Sequence, residues 1–472
     1  MRQGARAYFT ANIASQLFAL LRYVVLARLL GPFELGLAAT LILTAAFFEA
    51  VSDTGADRFL VQDKDGDSPT MQGVVHAVMA ARGVFIAGAL ALSASLLAAL
   101  YKAPDLQISL IALGAAPLIG GLAHLDMRRL QRNADFRPES WVMLVSETIS
   151  LVATALAAWF TRDHTAVVYG LIARSIALVV ASHLVARRPY RWEFAAVEAR
   201  TFGVFAAPLA VNGLLLFLGT QGDRVVVGGA LGPEALGHYS AVLLLAYYPT
   251  AMLGRFLSGL HLPQLSGAKT EPAAFATQHR SYAARMLLLS AAIIIGFALA
   301  GPIATPLLYG QGFAQPLQIF ALLGALQSIR FVRLWPTNVA VSLGQSLIVM
   351  LNNVARMAAL PLAFAAAALT PTLEAIIGAF IVGEVVALVA ALILLSRAGA
   401  LKLSREIARV LCLVFLSAAA IAAAWTLQLG QSIWALVASG TALASVALLV
   451  RLDWKAVQLD LNWVLSRMRR RS

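Results

Sequence analysis

LGPFELG, Leu30 to Gly36, returns as LGPEALG, Leu231 to Gly237, 201 residues further along the chain. The match widens to YVVLARLLGPFELG (Tyr23 to Gly36) against RVVVGGALGPEALG (Arg224 to Gly237), sharing Val24, Val25, Leu30, Gly31, Pro32, Leu35 and Gly36 with their counterparts Val225, Val226, Leu231, Gly232, Pro233, Leu236 and Gly237. Glycine permits a tight turn and proline stops a helix, so each copy reads as a short connection between two apolar segments. One reading is local, since any short interhelical turn can look like this. The spacing favours another. The copies follow the first and the seventh apolar segment, one six-helix unit apart, and an even unit leaves both halves in the same orientation. The chain therefore reads as a parallel repeat of two six-helix lobes.

That reading needs a membrane, and the composition supplies one. Hydrophobic residues make up 60% of the chain and charged residues 12%, with a mean hydropathy of +0.80, whereas soluble domains carry about 25% charged residues. Apolar runs long enough to cross about 30 Å of hydrocarbon as helices recur throughout. Barrel strands would alternate apolar and polar over about 10 residues, and these do not. The fold class is an all-α polytopic membrane protein. About 14 spans start near Tyr8, Leu37, Met71, Leu106, Glu139, Thr165, Thr201, Leu236, Arg280, Gln315, Ser346, Leu373, Glu406 and Ser432. Twelve remains open, because Pro336 and the polar stretch around Asn338 blur the pair between Gln315 and Leu369. The first run is too long for a signal-peptide core and reads as a retained helix. The lobes are assigned to residues 1–198 and 199–400, and two extra helices with a basic tail to 401–472.

The net charge of +13 takes its meaning from where the basic residues sit. They gather in alternate loops: Arg2 and Arg6; Arg128, Arg129, Arg132 and Arg137; Arg187, Arg188, Arg191 and Arg200; Arg397, Lys402, Arg405 and Arg409; and Arg467, Arg469, Arg470 and Arg471. Lysine and arginine are retained on the cytoplasmic side, which puts both termini there, and the plasma membrane is the expected location. Nucleic acid is not an expected partner. The tail from Asp453, with Trp454 and Trp463, reads either as an interfacial amphipathic helix or as a solvated topology signal. The loops are too short for a soluble catalytic domain, and no GxxxxGK[ST] loop occurs. The single cysteine, Cys412, lies in an apolar run and excludes a disulfide framework. His76, His124 and His183 lack metal-ligand spacing, so no metal or other cofactor is expected.

The segments LRYVVLARLLGPFELG, FFEAVSDTGADRFLVQ and DRVVVGGALGPEALGHYS resemble the lipid-linked oligosaccharide flippases of the polysaccharide transporter branch of the MATE-like (MOP) superfamily. The resemblance implies two six-helix lobes around a central cavity, two added C-terminal helices, and alternating access. The substrate it implies is a polyprenyl-pyrophosphate-linked glycan carried outward for O-antigen or exopolysaccharide assembly. Polysaccharide polymerases or glycosyltransferases would be partners.

Charges within the spans point to the site, because each costs about 2.5–3.5 kcal/mol at the bilayer centre. Arg22 lies eight residues before Leu30, about 12 Å deep at 1.5 Å per residue, and Arg82 is similarly deep in the third span. Guanidinium binds phosphate oxygens bidentately without losing its proton, so Arg22, Arg82 and Arg174 are the expected pyrophosphate contacts. For Arg22 the resemblance adds a cavity arginine of related lipid flippases, while an ion pair with a carboxylate of the second span is the alternative. Glu49, Asp53 and Asp57, spaced by four, would share one helical face, with Glu49 and Asp53 as candidates for proton or sodium coupling and gating. Asp223 and Arg224 match the DR pair of the resembling family, with a structural role favoured. Gly31, Pro32, Gly36, Gly232, Pro233 and Gly237 are read as structural residues of the repeat.

Two other functions fit parts of this pattern. A cation-coupled multidrug exporter of the same superfamily would share the architecture, but it favours acidic or aromatic cavities over deep arginines. A membrane polymerase or ligase needs positioned acid, base or metal-ligating groups, usually on a sizeable loop, and none is seen. The expectation is a transporter and not an enzyme.

Overall fold

The computed structural model describes residues 2–101 and 103–452. The tail from Asp453, Lys102, and the side chains of Arg2, Arg6 and Arg405 lie outside the described residues. Within these residues the regular elements are all helical. Twelve helices are long and apolar enough to cross a membrane. The first, Tyr8–Val51, has 44 residues, about twice what one crossing needs. It is two spans, because Gly31 leaves helical geometry at φ 79° and ψ 174°. Counting these separately and adding the shorter apolar helix Leu106–Gly120 gives the fourteen expected segments among the described residues.

The blurred pair between Gln315 and Leu369, and the segment from Leu106, are helices interrupted near their middles. One break falls at Gly114, between Leu106–Leu113 and Ala115–Gly120. A second falls at Arg333, between Leu317–Val332 and Leu334–Ser342, and a third between Ser346–Arg356 and Ala359–Leu369. Each has a proline a few residues on: Pro117, Pro336 and Pro361. A proline ring displaces the carbonyl four residues back and removes one helical donor. Those carbonyls belong to Leu113, Val332 and Met357, where the helices stop.

Packing divides the chain into two compact units: Met1–Ala241 with Leu308–Phe313, and Val242–Leu307 with the chain from Ala314 onward. The first is centred on Leu37, Leu41, Leu90, Leu106, Leu110 and Leu113. The second is centred on Leu287, Ile294, Trp335, Leu388 and Leu413, and it buries Cys412 as a packing residue. These packing units are not the repeat units. The second turn phrase packs directly on the first, which holds the start of Pro233–Ala268 within the first unit.

That contact explains the repetition more fully than the turn alone. Gly232 (φ 87°, ψ 179°) repeats the conformation of Gly31, a region open almost only to glycine. Pro233 then starts the next helix, where its missing N–H costs nothing. Gly36 faces the Pro233 carbonyl so closely that a Cβ would collide with it, and Gly237 faces the Pro32 carbonyl in the same way. The two phrases are reciprocal halves of one backbone contact.

Candidate functional site

The first unit encloses a cavity of about 390 Å³ lined by Arg82, Arg174, Arg128, Glu49 and Asp57 among apolar side chains. Three guanidinium groups face two carboxylates there. Arg82 reaches it from Pro69–Leu100. Its Nε donates to the Ser52 carbonyl (2.7 Å) and hydroxyl (3.1 Å), and an Nη donates to the Glu49 carbonyl (2.8 Å). These are carbonyls at the end of the second span, which have no helical N–H of their own, so a cation suits them. Arg82 thus seals a helix end and borders the cavity at once.

Arg174 and Arg22 meet on one carboxylate. Arg174 Nε donates to Glu147 Oε1 (2.7 Å), and Arg22 donates from Nη1 to Glu147 Oε2 (3.3 Å) and to Ser150 Oγ (2.6 Å). Ser150 passes its own proton to the Gly170 carbonyl (3.0 Å), joining three spans. Glu147 is a tenth exposed and Arg22 a fifth, while Arg174 is 43% exposed and remains open toward the cavity. The ion-pair alternative for Arg22 is therefore realised, on Glu147 of Arg137–Thr161 instead of a carboxylate of the second span. Arg22 does not line the cavity that Arg82 and Arg174 share.

The acidic stripe is corrected by the structure. The helix ends at Val51, Gly55 adopts φ 61°, and a new helix runs Ala56–Gln62, so Glu49, Asp53 and Asp57 do not share a helical face. Asp53 accepts from the Gly55 N–H (2.9 Å) and from Arg58 (3.0 Å), fixing the turn. Asp57 pairs with Arg128 (2.8 Å), which also binds Glu139. Glu49 alone of the three combines a place in the last turn of the second span with the cavity wall.

Asp223, 1% exposed, accepts from Tyr239 Oη (2.9 Å) across the second turn and from the Arg224 N–H (2.9 Å). Arg224 itself donates to Gln221 (3.1 Å). Asp223 thus ties the two helices across the turn, while Arg224 bonds within its own helix.

Sequence spacing missed a cluster on the expected cytoplasmic side. His76, His124 and His183 meet edge to face, with centroids 4.9 and 5.3 Å apart, and Tyr190 packs against them. His124 Nδ1 accepts from the Asp126 N–H (3.1 Å) and Nε2 donates to the Arg188 carbonyl (2.9 Å), which uses both nitrogens of the neutral ring. Burial lowers the His124 pKa from its ordinary value, with the neighbouring His183 acting in the same direction. Burial alone would raise Asp126, but donation from Arg129 and the Arg187 N–H holds its carboxyl below the usual range. The basic loop is likewise built in: Arg132 donates to the carbonyls of Leu60, Val61 and Asp63, and Arg188 to that of Asp67.

Residues 25–318 match the family described as "Polysaccharide biosynthesis protein". The chain belongs to that family. Among curated relatives, the succinoglycan biosynthesis transport protein ExoT of Rhizobium meliloti (strain 1021) is 24% identical over 246 residues, 51% of this chain and 48% of ExoT. The chain thus spans about half the length of the curated relative it matches. In fold it is similar to the lipid II flippase MurJ in an inward closed conformation (TM-score 0.69, 12% identity, 95% of this chain and 99% of that one). It is also similar to an inward-facing multidrug resistance MATE transporter of the MOP superfamily (TM-score 0.61, 13% identity, 83% and 96%). The fold is thus similar to that of these transporters, as the resemblance of the three quoted segments implied.

Proposed function

We propose that this member of the polysaccharide biosynthesis family is a flippase that moves a polyprenyl-pyrophosphate-linked oligosaccharide from the cytoplasmic to the outer leaflet. The observation that carries the reading is the cavity lined by Arg82 and Arg174, whose guanidinium groups suit a pyrophosphate. The family match and the fold support a transporter. A drug exporter is disfavoured, because an organic cation would meet the guanidinium groups of Arg82 and Arg174.

In this mechanism Arg174 and Arg82 take the pyrophosphate, while Glu147 and the second-span carbonyls hold the two guanidinium groups in place. Arg22 positions Glu147. The repeat halves 1–198 and 199–400 alternate access, with Glu49 the candidate for proton or sodium coupling, and both termini face the cytoplasm of a plasma membrane. In a deletion strain the lipid-linked glycan should accumulate facing the cytoplasm. Wild type should restore its outward exposure and Arg82→Ala should not. Glycan that is already outward-facing but unpolymerised would replace the flippase with an assembly enzyme.

A further inference from the structure

Arg82 borders more than the cavity it shares with Arg174. It also lines a groove of about 480 Å³ between Pro69–Leu100 and Ala196–Leu231, the third and seventh spans, both within the first unit. Val78, Ala81, Arg82 and Phe85 form one wall, spaced i, i+3, i+4 and i+7 and therefore on one helical face. Gly203, Ala206, Ala207 and Ala210 form the other at the same spacing. Ser52 and Asp53 join them from the end of the second span.

Small residues at such spacing ordinarily let two helices touch. Along this groove they do not, since a Cβ added at Gly203 would meet nothing within 4 Å. The seventh span is instead fixed at the two ends of the groove. Nearer the basic loops, Phe202 packs with Met71, Val75 and Phe59, the two phenyl centroids 5.1 Å apart. At the other end, Gly213 lies so close to the Ala50 carbonyl that a Cβ would collide with it. Between these anchors the walls are apolar and open: Phe85 is 61% exposed, and Ala81, Gly203 and Ala207 are exposed.

The polar groups leave a donor for an anion. Both carboxylate oxygens of Asp53 are engaged, one by the Gly55 N–H and the other by Arg58. Arg82 uses Nε and one Nη on oxygens of Ser52 and Glu49, and among the described residues its other Nη has no protein acceptor and no carboxylate pairs with it. A diphosphate on a hydrocarbon chain matches both parts of this arrangement. Its head suits a guanidinium where groove and cavity meet, which offsets the cost of bringing charge past hydrocarbon, and its chain suits the apolar walls. An isoprenoid carries methyl branches that a straight acyl chain lacks, and a wall of glycine and alanine leaves room for them.

We propose that this groove seats the first isoprene units of the polyprenyl-pyrophosphate substrate, and that the headgroup enters the cavity from the bilayer past Arg82, between the third and seventh spans. The assignment rests on the flippase reading and adds to it a seat for the chain and a route for the head.

Photolabelling of the purified full-length protein in nanodiscs tests it, with a polyprenyl pyrophosphate carrying a diazirine on its first isoprene unit and inorganic pyrophosphate as the soluble probe. Labelled positions should fall within residues 78–85 and 203–210. Ala207→Trp, which fills the groove from an exposed position, should weaken binding of the polyprenyl probe about tenfold or more and leave that of inorganic pyrophosphate unchanged. Gly203→Leu, where a Cβ has room, should act alike. Leu216→Trp, also exposed on this helix but outside the groove, should change neither. Labelling elsewhere, or wild-type binding of the polyprenyl probe by both groove variants, overturns the groove and leaves the flippase reading intact. Loss of inorganic pyrophosphate from both groove variants also overturns it, because the effect is then not on the chain. If neither probe binds the wild type, the flippase reading falls and the groove with it. A diazirine phospholipid that labels the same residues and is not displaced by polyprenyl pyrophosphate would make the groove an ordinary lipid surface and end the proposal.

Discussion

At the scale of single residues, Arg82 and His124 separate binding from fastening. Arg82 holds carbonyls of Glu49 and Ser52 while bordering the cavity, so removing it opens a helix end and subtracts cavity charge together. Arg82→Ala should reduce glycan flipping at least tenfold, about 1.4 kcal/mol, and Arg82→Lys should recover part of this by restoring charge without the fork. Equal flipping by wild type and Arg82→Ala in a leaflet-accessibility assay would remove Arg82 from the site. His124 has a different use. Its ring must be neutral to accept from Asp126 while donating to Arg188, and it faces His76, His183, Tyr190 and Asp126. A histidine whose folded pKa is depressed contributes stability above its unfolded value, about 6.5, and loses it as pH falls through the folded value. Asp126, held below the ordinary carboxylate range, stays charged through that window. The protection of amides in residues 186–195, taken relative to their intrinsic exchange rates at each pH, should therefore fall as pH drops from 7 to 5, and His124→Gln should flatten the dependence. Protection that is independent of pH in wild type would contradict this role.

At the scale of elements, the two turn phrases make the sharpest claim. Gly31 and Gly232 occupy backbone regions closed to side chains, so Gly31→Ala should cost about 1–3 kcal/mol. Gly36→Ala fails for another reason, a methyl driven into the Pro233 carbonyl, and should also cost about 1–3 kcal/mol. Because Gly36 and Gly237 belong to one contact, the double alanine variant should cost less than the sum of the singles in a thermal unfolding series. Additive costs would mean that the phrases are independent turns. The same elements show what the sequence could tell. Leu30–Gly36 was readable as a turn because glycine and proline act locally, and the spans were legible because each is an apolar run. The pairing of one turn with the other was not, since it joins residues about 200 positions apart. The acidic stripe failed because its period was carried through Gly55, where the helix had already ended. The arginines of Leu317–Ser342, Arg330 and Arg333, escaped notice because Pro336 breaks that helix beside Arg333 and blurs the span they occupy.

At the scale of the whole chain, the repeat carries its central ion pairs with opposite polarity. In the first half the carboxylate is on the fifth span and the arginine on the sixth, as Glu147 and Arg174. In the second half Arg356 is on the eleventh span and Glu384 on the twelfth. A pair of isolated charges could be exchanged freely, and the chain itself holds both versions. Neither pair is isolated, however, since Glu147 also holds Arg22 while Glu384 also holds Arg330 and Arg333. The carboxylate cannot change helix without abandoning the further arginines aimed at it. Reversing the first pair, with Glu147→Arg and Arg174→Glu, should therefore be no more stable than Glu147→Gln alone, because Arg22 is left buried beside a new cation. Adding Arg22→Gln to the reversed pair removes that repulsion and should recover at least half of the lost stability in thermal unfolding of the purified protein. Rescue by the reversed pair alone would mean that Arg22 contributes nothing to the triad. Failure of the triple variant would mean that the direction of the pair is fixed by surroundings other than Arg22, and that the two halves were never interchangeable at this point.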